Sequence, residues 1–368
     1  MHILHVVGAR PNFMKVAPVY RALAQRDSFD QTLVHTGQHY DVNMNDVFFQ
    51  QLDIPEPDEN LAVGSGTHAR QTAEVMIRIE PMLTRIRPDM VVVYGDVNST
   101  VAAALVCSKL HIAIAHVEAG LRSFDRTMPE EINRLVTDQL ATVHFTPSAD
   151  ADRNLLNEGI APERIRFVGN VMIDTLLRLL GEAETSLASS LPRDFGLVTL
   201  HRPSNVDESE HLQPILEVLT EISRDIEVFF PVHPRTRQRL SEFGFSRRDT
   251  AGLHLLDPMP YVQFLGMQRK AKFVITDSGG IQEETTTLGI PCLTLRENTE
   301  RPVTVSSGTN VLVGRDMARL RREIVSILSG KAKRATIPEL WDGHAGERIA
   351  QSIEEYELSR VRLQLGPD

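Results

Sequence analysis

Short β-branched, apolar runs alternate with longer amphipathic stretches along almost the whole of this chain. No other feature restricts its fold as much, because that alternation is the signature of parallel βαβ units. In the first half, strands are expected at His2–Val7, 31–36, Met90–Tyr94, 112–117 and 142–146, with helices over 12–26, 71–86, 98–111 and 130–140. A nearly continuous apolar strand such as MVVVY fits a parallel sheet buried on both faces. The rhythm pauses over 170–195, where SLASSLPRD reads as a polar connector. It resumes at 196–200, 226–231, 252–256, Phe273–Thr276, 291–295 and 310–313. Two strand series about a connector predict an α/β protein of two Rossmann-like domains facing a central cleft. The expected domains are 1–170 and 171–345, with a last helix from about 346 to the C-terminus packing across them. A length of 368 residues is comfortable for two such units.

Composition narrows the function. Hydrophobic residues make up 42% and charged residues 24%, the balance of a soluble globular enzyme. The longest apolar run, residues 101–107, is far short of the roughly 20 residues a membrane helix needs. The start, MHILHVVGARP, reads as a first strand and not as an export signal, so no membrane role and a cytoplasmic setting are expected. Cys107 and Cys292 are too few for a disulfide scaffold and lack CxxC spacing. A net charge of −10 argues against a nucleic-acid partner, yet leaves room for one anionic ligand in a local cationic pocket. GxGxxG and GxxxxGK[ST] are both absent, which excludes the common dinucleotide and phosphate-loop cofactor sites. His35 and His39 straddle a strand end with no third ligand in sight, so no metal is expected.

On doubly wound sheets, ligands bind outside the carboxyl ends of the strands, so the residues there carry the argument. Gly8 permits a tight turn after the first strand, and Arg10 and Lys15 put two cations beside a helix start. Asp96 and Asn98 follow the third apolar run, MVVVY. One of them suffices as a helix N-cap, which leaves Asp96 as a candidate carboxylate. Glu118 leaves an apolar strand just after His116, where a carboxylate is costly to bury unpartnered. Glu130 and Glu131 open a helix, commonplace alone, but Asp96, Glu118 and Glu130 converging on one cleft are not. In the second half, His201 follows a strand opposite that acid group, and His233 occupies a similar strand end of lower weight. The sequence FVITD then leads into Ser278-Gly279-Gly280 and Glu283-Glu284. Two glycines at a helix N-terminus let backbone N–H groups approach a phosphate, and one carboxylate of the pair suits a ribose diol. Arg296 and Arg301 supply further cations.

The motifs GARPNFMK, HTGQHYD, YGDVNST, HVEAGLR, PEEINR, LHRPSN, TDSGGIQEE and RENTERP run in order from residue 8 to 302. This ordered set resembles the non-hydrolysing UDP-N-acetylglucosamine 2-epimerases over essentially the whole chain. The resemblance implies the glycosyltransferase-B architecture with the last helix returning to the first domain, a homodimer, and no cofactor. It implies interconversion of UDP-GlcNAc and UDP-ManNAc by anti elimination of UDP, through 2-acetamidoglucal, and re-addition. Matched residue by residue, Asp96, Glu118 and Glu130 are the acid trio and His201 the catalytic histidine. Arg10 and Lys15 face the diphosphate, Ser278, Gly279 and Gly280 cradle phosphate, Glu284 holds ribose, Phe264 contacts uridine and Arg301 the substrate. Met259 stands where some members carry Gln.

Three other readings compete: epimerisation of UDP-2,3-diacetamido-2,3-dideoxyglucuronate, a glycosyltransferase of the same architecture, and a silent nucleotide-sugar sensor. The acid trio speaks against the last two. Some family members also need a second UDP-GlcNAc as effector, held in part by a glutamine three residues after the Gln of the QH motif. Here Gln38 and Arg70 match that site, but the second glutamine is replaced by Asp41, an acceptor with no N–H to donate.

Overall fold

The computed structural model describes residues 1–37, 46–186, 191–245 and 252–365. The chain divides into two compact units, Met1–Thr175 together with Glu339–Asp368, and Leu176–Pro338.

The first unit holds β1 (His2–Val7), β2 (Asp30–His35), β3 (Glu59–Asn60), β4 (Met90–Tyr94), β5 (Ala113–Val117), β6 (Val143–Thr146) and β7 (Ile165–Phe167). They form one parallel sheet in the order β3-β2-β1-β4-β5-β6-β7. The second unit holds β8 (Phe195–Thr199), β9 (Glu227–Pro231), β10 (Leu253–Leu256), β11 (Phe273–Thr276), β12 (Cys292–Thr294) and β13 (Asn310–Leu312). Its order is β10-β9-β8-β11-β12-β13, again parallel. Each sheet is therefore a doubly wound, Rossmann-like one, whose strand order reverses beside its first strand.

The apolar periodicity accounts for most of this. All five residues of β4 are buried, as expected of a central strand covered on both faces. One face of the first sheet packs Leu4, Val6, Val91 and Val93 against Ile79, Leu83, Ala103 and Cys107 from the helices His68–Ile86 and Asn98–Leu110. In the second unit Val198, Val228, Phe230, Ile275 and Leu293 pack with Leu212, Leu216 and Leu219 of the helix Ser209–Ile222.

Several elements differ from the sequence reading, among them the unexpected helices Asp46–Leu52 and Ala149–Asn157. β3 and β7 were not expected, being two- and three-residue edge strands without an apolar run. Most of the expected connector is a helix, Val171–Thr185. Its apolar residues Val171, Ile173, Leu176 and Leu179 are buried at helical spacing, and the polar stretch begins only after it.

The last helix, Ala345–Leu365, packs on the first helix, Arg10–Ala24, within the first unit. Its first N–H groups, which have no partner within the helix, are capped from a distant part of the chain: the Asp174 carboxylate accepts from Ala345 N at 3.1 Å and Gly346 N at 2.7 Å. Among the described residues, no helix is long and apolar enough to cross a membrane.

Candidate functional site

In the first sheet the strand order reverses between β1 and β4, so topology alone brings the residues leaving these two strands together. Asn12 ties them. Its Oδ1 accepts from Gly8 N at 3.1 Å and Ala9 N at 3.0 Å, while its Nδ2 donates to Tyr94 O at 2.8 Å. Arg10 opens the helix Arg10–Ala24, and its side chain lies outside the described set. So do Gln38, His39 and Asp41; Arg70 lies exposed near the start of His68–Ile86.

Lys15 is buried and its ammonium is bonded to Oε2 of Glu118, also buried. Gly95 makes room for the pair. A Cβ there would lie 2.6 Å from Lys15 Nζ and 3.0 Å from Glu118 Oε2, and its φ of +64° suits glycine. Glu118 has a left-handed backbone itself, with φ 71°. Such strain persists where the surroundings fix it. Here Glu118 N and Ala119 N both donate to Phe145 O at 3.0 Å. His116 supports this turn from within, its Nε2 2.8 Å from Gly95 O and its Nδ1 2.6 Å from Asp138. Burial would push the Asp138 carboxyl up, but His116 and Arg122 beside it hold it near 2.

Asp96 does not cap the helix Asn98–Leu110, and neither does Asn98. The N-cap is Val97, which has no side-chain cap bond. Asp96 instead pairs with Arg134, a buried guanidinium that sequence reasoning passed over. Arg134 also holds Glu131, at 2.5 Å from Nη2 and 3.0 Å from Nε. Glu131 accepts from Ser123 N, Ser123 Oγ and Phe124 N as well. Burial raises the Glu131 carboxyl, yet these donors and Arg134 outweigh it and keep it below the usual range. Glu130 is only half-buried, and among the described residues no hydrogen bond or ion pair engages it. Adjacent glutamates are thus divided between scaffold and available acid.

In the second sheet the order reverses between β8 and β11. His201 leaves β8 and is 43% exposed, with Nδ1 3.1 Å from Asp277 Oδ1 at the end of β11. The His233 ring stands 5.9 Å from it, centroid to centroid. Ser278 and Gly279 begin the helix Gly279–Leu288 as its N-cap and first residue, with Gly280 next in the same turn. Ser278 makes no side-chain cap bond, so the first N–H groups keep no internal partner from it. At Gly279 a Cβ would collide with the Arg301 guanidinium and lie 2.7 Å from Glu300 Oε1. The glutamate pair divides here too. Glu283 is ion-paired with Arg301, its Oε1 2.8 Å from Nε. Glu284 accepts from the Tyr261 hydroxyl at 2.9 Å. Burial pushes the Glu284 carboxyl up to about 7, with Tyr261 and Gln268 pulling it back only in part. Glu300 bonds Arg301 and lies 2.7 Å from Arg296 Nη2. Phe264, on the helix Tyr261–Lys270, packs partly buried with Met259 and Met267.

Chemically, the first unit offers carboxylates in three states: cation-paired and buried, cation-paired and half-buried, and unpaired. The second offers a histidine on a carboxylate, a glycine-opened helix start beside arginines, and a buried acid that ionises near neutrality. Among the described residues no group of three or more His, Cys, Asp or Glu side chains is placed to hold a metal ion.

The family profile "UDP-N-acetylglucosamine 2-epimerase" matches residues 21–354. The UDP-N-acetylglucosamine 2-epimerase of Methanocaldococcus jannaschii is 43% identical over 364 residues, covering 96% of this chain and 99% of that one. Its crystal structure in complex with UDP-GlcNAc and UDP superposes with a TM-score of 0.89 over 96% of this chain and 100% of that chain. A UDP-2,3-diacetamido-2,3-dideoxy-D-glucuronate 2-epimerase of Pseudomonas aeruginosa is 42% identical over 322 residues, 86% of this chain and 90% of that one. A lipopolysaccharide outer core galactosyltransferase shares the fold alone, at 13% identity and a TM-score of 0.54 over 97% of this chain and 100% of that one.

Proposed function

The chain belongs to the UDP-N-acetylglucosamine 2-epimerase family, an isomerase family, and from that premise we propose that it interconverts UDP-GlcNAc and UDP-ManNAc. The reaction proceeds by anti elimination. A carboxylate takes the C2 proton while the C1–O bond breaks and UDP departs, which leaves 2-acetamidoglucal. UDP then re-adds at C1 and a second acid returns a proton to the opposite face of C2.

The observation that carries this reading is the pairing of Glu118 with Lys15 and of Asp96 with Arg134 at the switch point of the first sheet. A base for a weakly acidic C–H must be ionised and fixed in place, and a cation partner does both. Asp96, Glu118 and Glu130 are the proton-handling acids and His201 the catalytic histidine. Arg10 and Lys15 meet the diphosphate. Ser278, Gly279 and Gly280 offer backbone N–H groups to the phosphate, where charge develops as UDP leaves. Glu284 takes the ribose diol, Phe264 the uridine and Arg301 the substrate. Met259 packs in the apolar cluster around Phe264, so any ligand contact there is made by backbone.

The reading places the enzyme in the cytoplasm as a homodimer with no cofactor, serving surface polysaccharide precursors. With Asp41 in place of an amide, it also has the enzyme epimerise UDP-ManNAc without added UDP-GlcNAc. An initial-rate assay on purified UDP-ManNAc checks this; a lag removed by trace UDP-GlcNAc would count against it.

Incubation with UDP-GlcNAc alone in heavy water tests the main reading. Epimerised sugar carrying deuterium at C2 is expected, and unchanged, unlabelled sugar would refute it. The near-equal identity to the Pseudomonas aeruginosa relative supports a second reading, in which the substrate is the diacetamido glucuronate. Supplying both UDP-sugars and comparing kcat/KM separates the two.

A further inference from the structure

Asp277 is a fully buried carboxylate at the switch point of the second sheet to which no motif assigns a task. It receives His201 N at 3.2 and 3.1 Å on its two oxygens, Arg202 N at 2.9 Å and Asn205 Nδ2 at 3.1 Å. Those bonds pin the turn after β8. Its Oδ1 also lies 3.1 Å from His201 Nδ1, and pinning a turn does not need that contact. We propose that Asp277 is the positioning residue for His201: it holds the imidazole in the tautomer with its hydrogen on Nδ1 and presents Nε2 to the ligand.

The surroundings agree. Burial would raise the Asp277 carboxyl, but the bond and charge of His201, the Arg202 N–H and Asn205 together bring it below the ordinary range. An ionised acid therefore sits under the ring. Its partner can only be an N–H, since a carboxylate has no hydrogen to donate. Among the described residues, Asp277 and His233 from the end of β9 lie against the His201 ring, while Arg202, next in the chain, lies 4.0 Å from Glu300. His233 does not compete for a proton. Burial, then His201 and Arg235, push it down, and its Nδ1 already accepts from Arg235 N at 3.3 Å. Nε2 of His201 has no partner among the described residues. The ring is thus held at one nitrogen and free at the other: neutral, its bare Nε2 can accept a proton, and the imidazolium so formed can donate from Nε2 to a departing phosphate.

The role assigned to His201 rests on the epimerase reading, whereas its tautomer does not. Nitrogen-15 NMR of the unliganded wild-type protein is expected to show Nδ1 protonated and Nε2 bare in the neutral ring. The opposite tautomer would overturn the proposal whatever the reaction is. In Asp277→Asn, whose shape is kept and charge lost, kcat is expected to fall roughly 100-fold or more. KM should stay within about threefold, and the limb of the pH profile due to His201 should move down by about one unit or more. A loss of kcat with limb and tautomer unmoved would make Asp277 a loop anchor only. Asn205→Ala removes one donor from the same carboxylate and leaves its charge. It should lower the melting temperature without moving the limb, and an equal shift in both variants would also overturn the proposal.

Discussion

Glu130 and Glu131 are neighbours in one helical turn, and successive residues on a helix point about 100° apart. Glu131 points inward onto three donors of the Ser123–Phe124 turn and onto Arg134. Glu130 points to none. Neutralising them should therefore have opposite consequences. Glu131→Gln removes the more deeply buried of the two charge partners of Arg134 and leaves it Asp96 alone, which costs up to about 3–5 kcal/mol and should lower the melting temperature markedly. Glu130→Gln should leave the melting temperature where it was and reduce turnover roughly 10²–10⁴-fold, the usual contribution of a proton-transfer group. Thermal melts and steady-state rates on both variants check this. A Glu130→Gln enzyme of normal rate would return that residue to the ordinary role of acids in a first helical turn.

Where strands meet loops, the same economy depends on backbone as much as on side chains. The Lys15–Glu118 pair exists because Gly95 has no Cβ. Alanine there must adopt φ +64°, which costs about 1–2 kcal/mol, and must displace the Lys15 ammonium from Glu118. Gly95→Ala is expected to lose most of its turnover with a modest fall in stability. Full activity would show that the pair is dispensable. Much of this was legible in the sequence. Both central strand series, the helix beginning at Asn98 and the last helix follow from hydrophobic periodicity, and strand ends pointed to Lys15, Asp96, Glu118 and His201. What stayed hidden has no local signal. Arg134 looks like any helical arginine until β4 delivers Asp96 to it. Asp277 looks like the end of an apolar strand until β8 brings the backbone of His201 and Arg202 to its oxygens. The helix Val171–Thr185 was masked by the polar stretch that follows it, because a composition change marks a linker without marking its start.

Over the whole molecule, buried ionisable groups pull stability against pH in opposite directions. Burial lowers His5 to about 4 and lowers His35, His144 and His233 as well. Each binds fewer protons folded than unfolded, so each makes stability rise with pH up to about 6.5. Asp174, raised by burial to about 6, and Glu284, raised by burial to about 7, act the other way. Their folded forms hold protons that the unfolded chain has released. The stability they supply is complete below the ordinary carboxyl range and is lost as pH rises through 6 and 7. The net curve hides these contributions in their sum, but a difference between two proteins isolates one. For Glu284, a rise from 4.5 to about 7 corresponds, at about 1.4 kcal/mol per pH unit, to about 3–4 kcal/mol. Glu284→Gln cannot ionise, and its histidines are those of the parent. Its stability relative to the parent should therefore grow between pH 5 and pH 8, by up to that amount. If Glu284 receives the ribose hydroxyls, the same variant should bind UDP more weakly, since lost charge-assisted bonds cost about 1.5–3 kcal/mol. Denaturant titrations at three pH values, with calorimetry of UDP at pH 8, measure both. A stability gap that stays flat with pH would mean that Glu284 is not held protonated by burial. Unchanged UDP affinity would mean that the ribose is bound elsewhere. The expected result, a protein made more stable and less able to bind, identifies Glu284 as a carboxylate kept at a cost to the fold for the sake of its ligand.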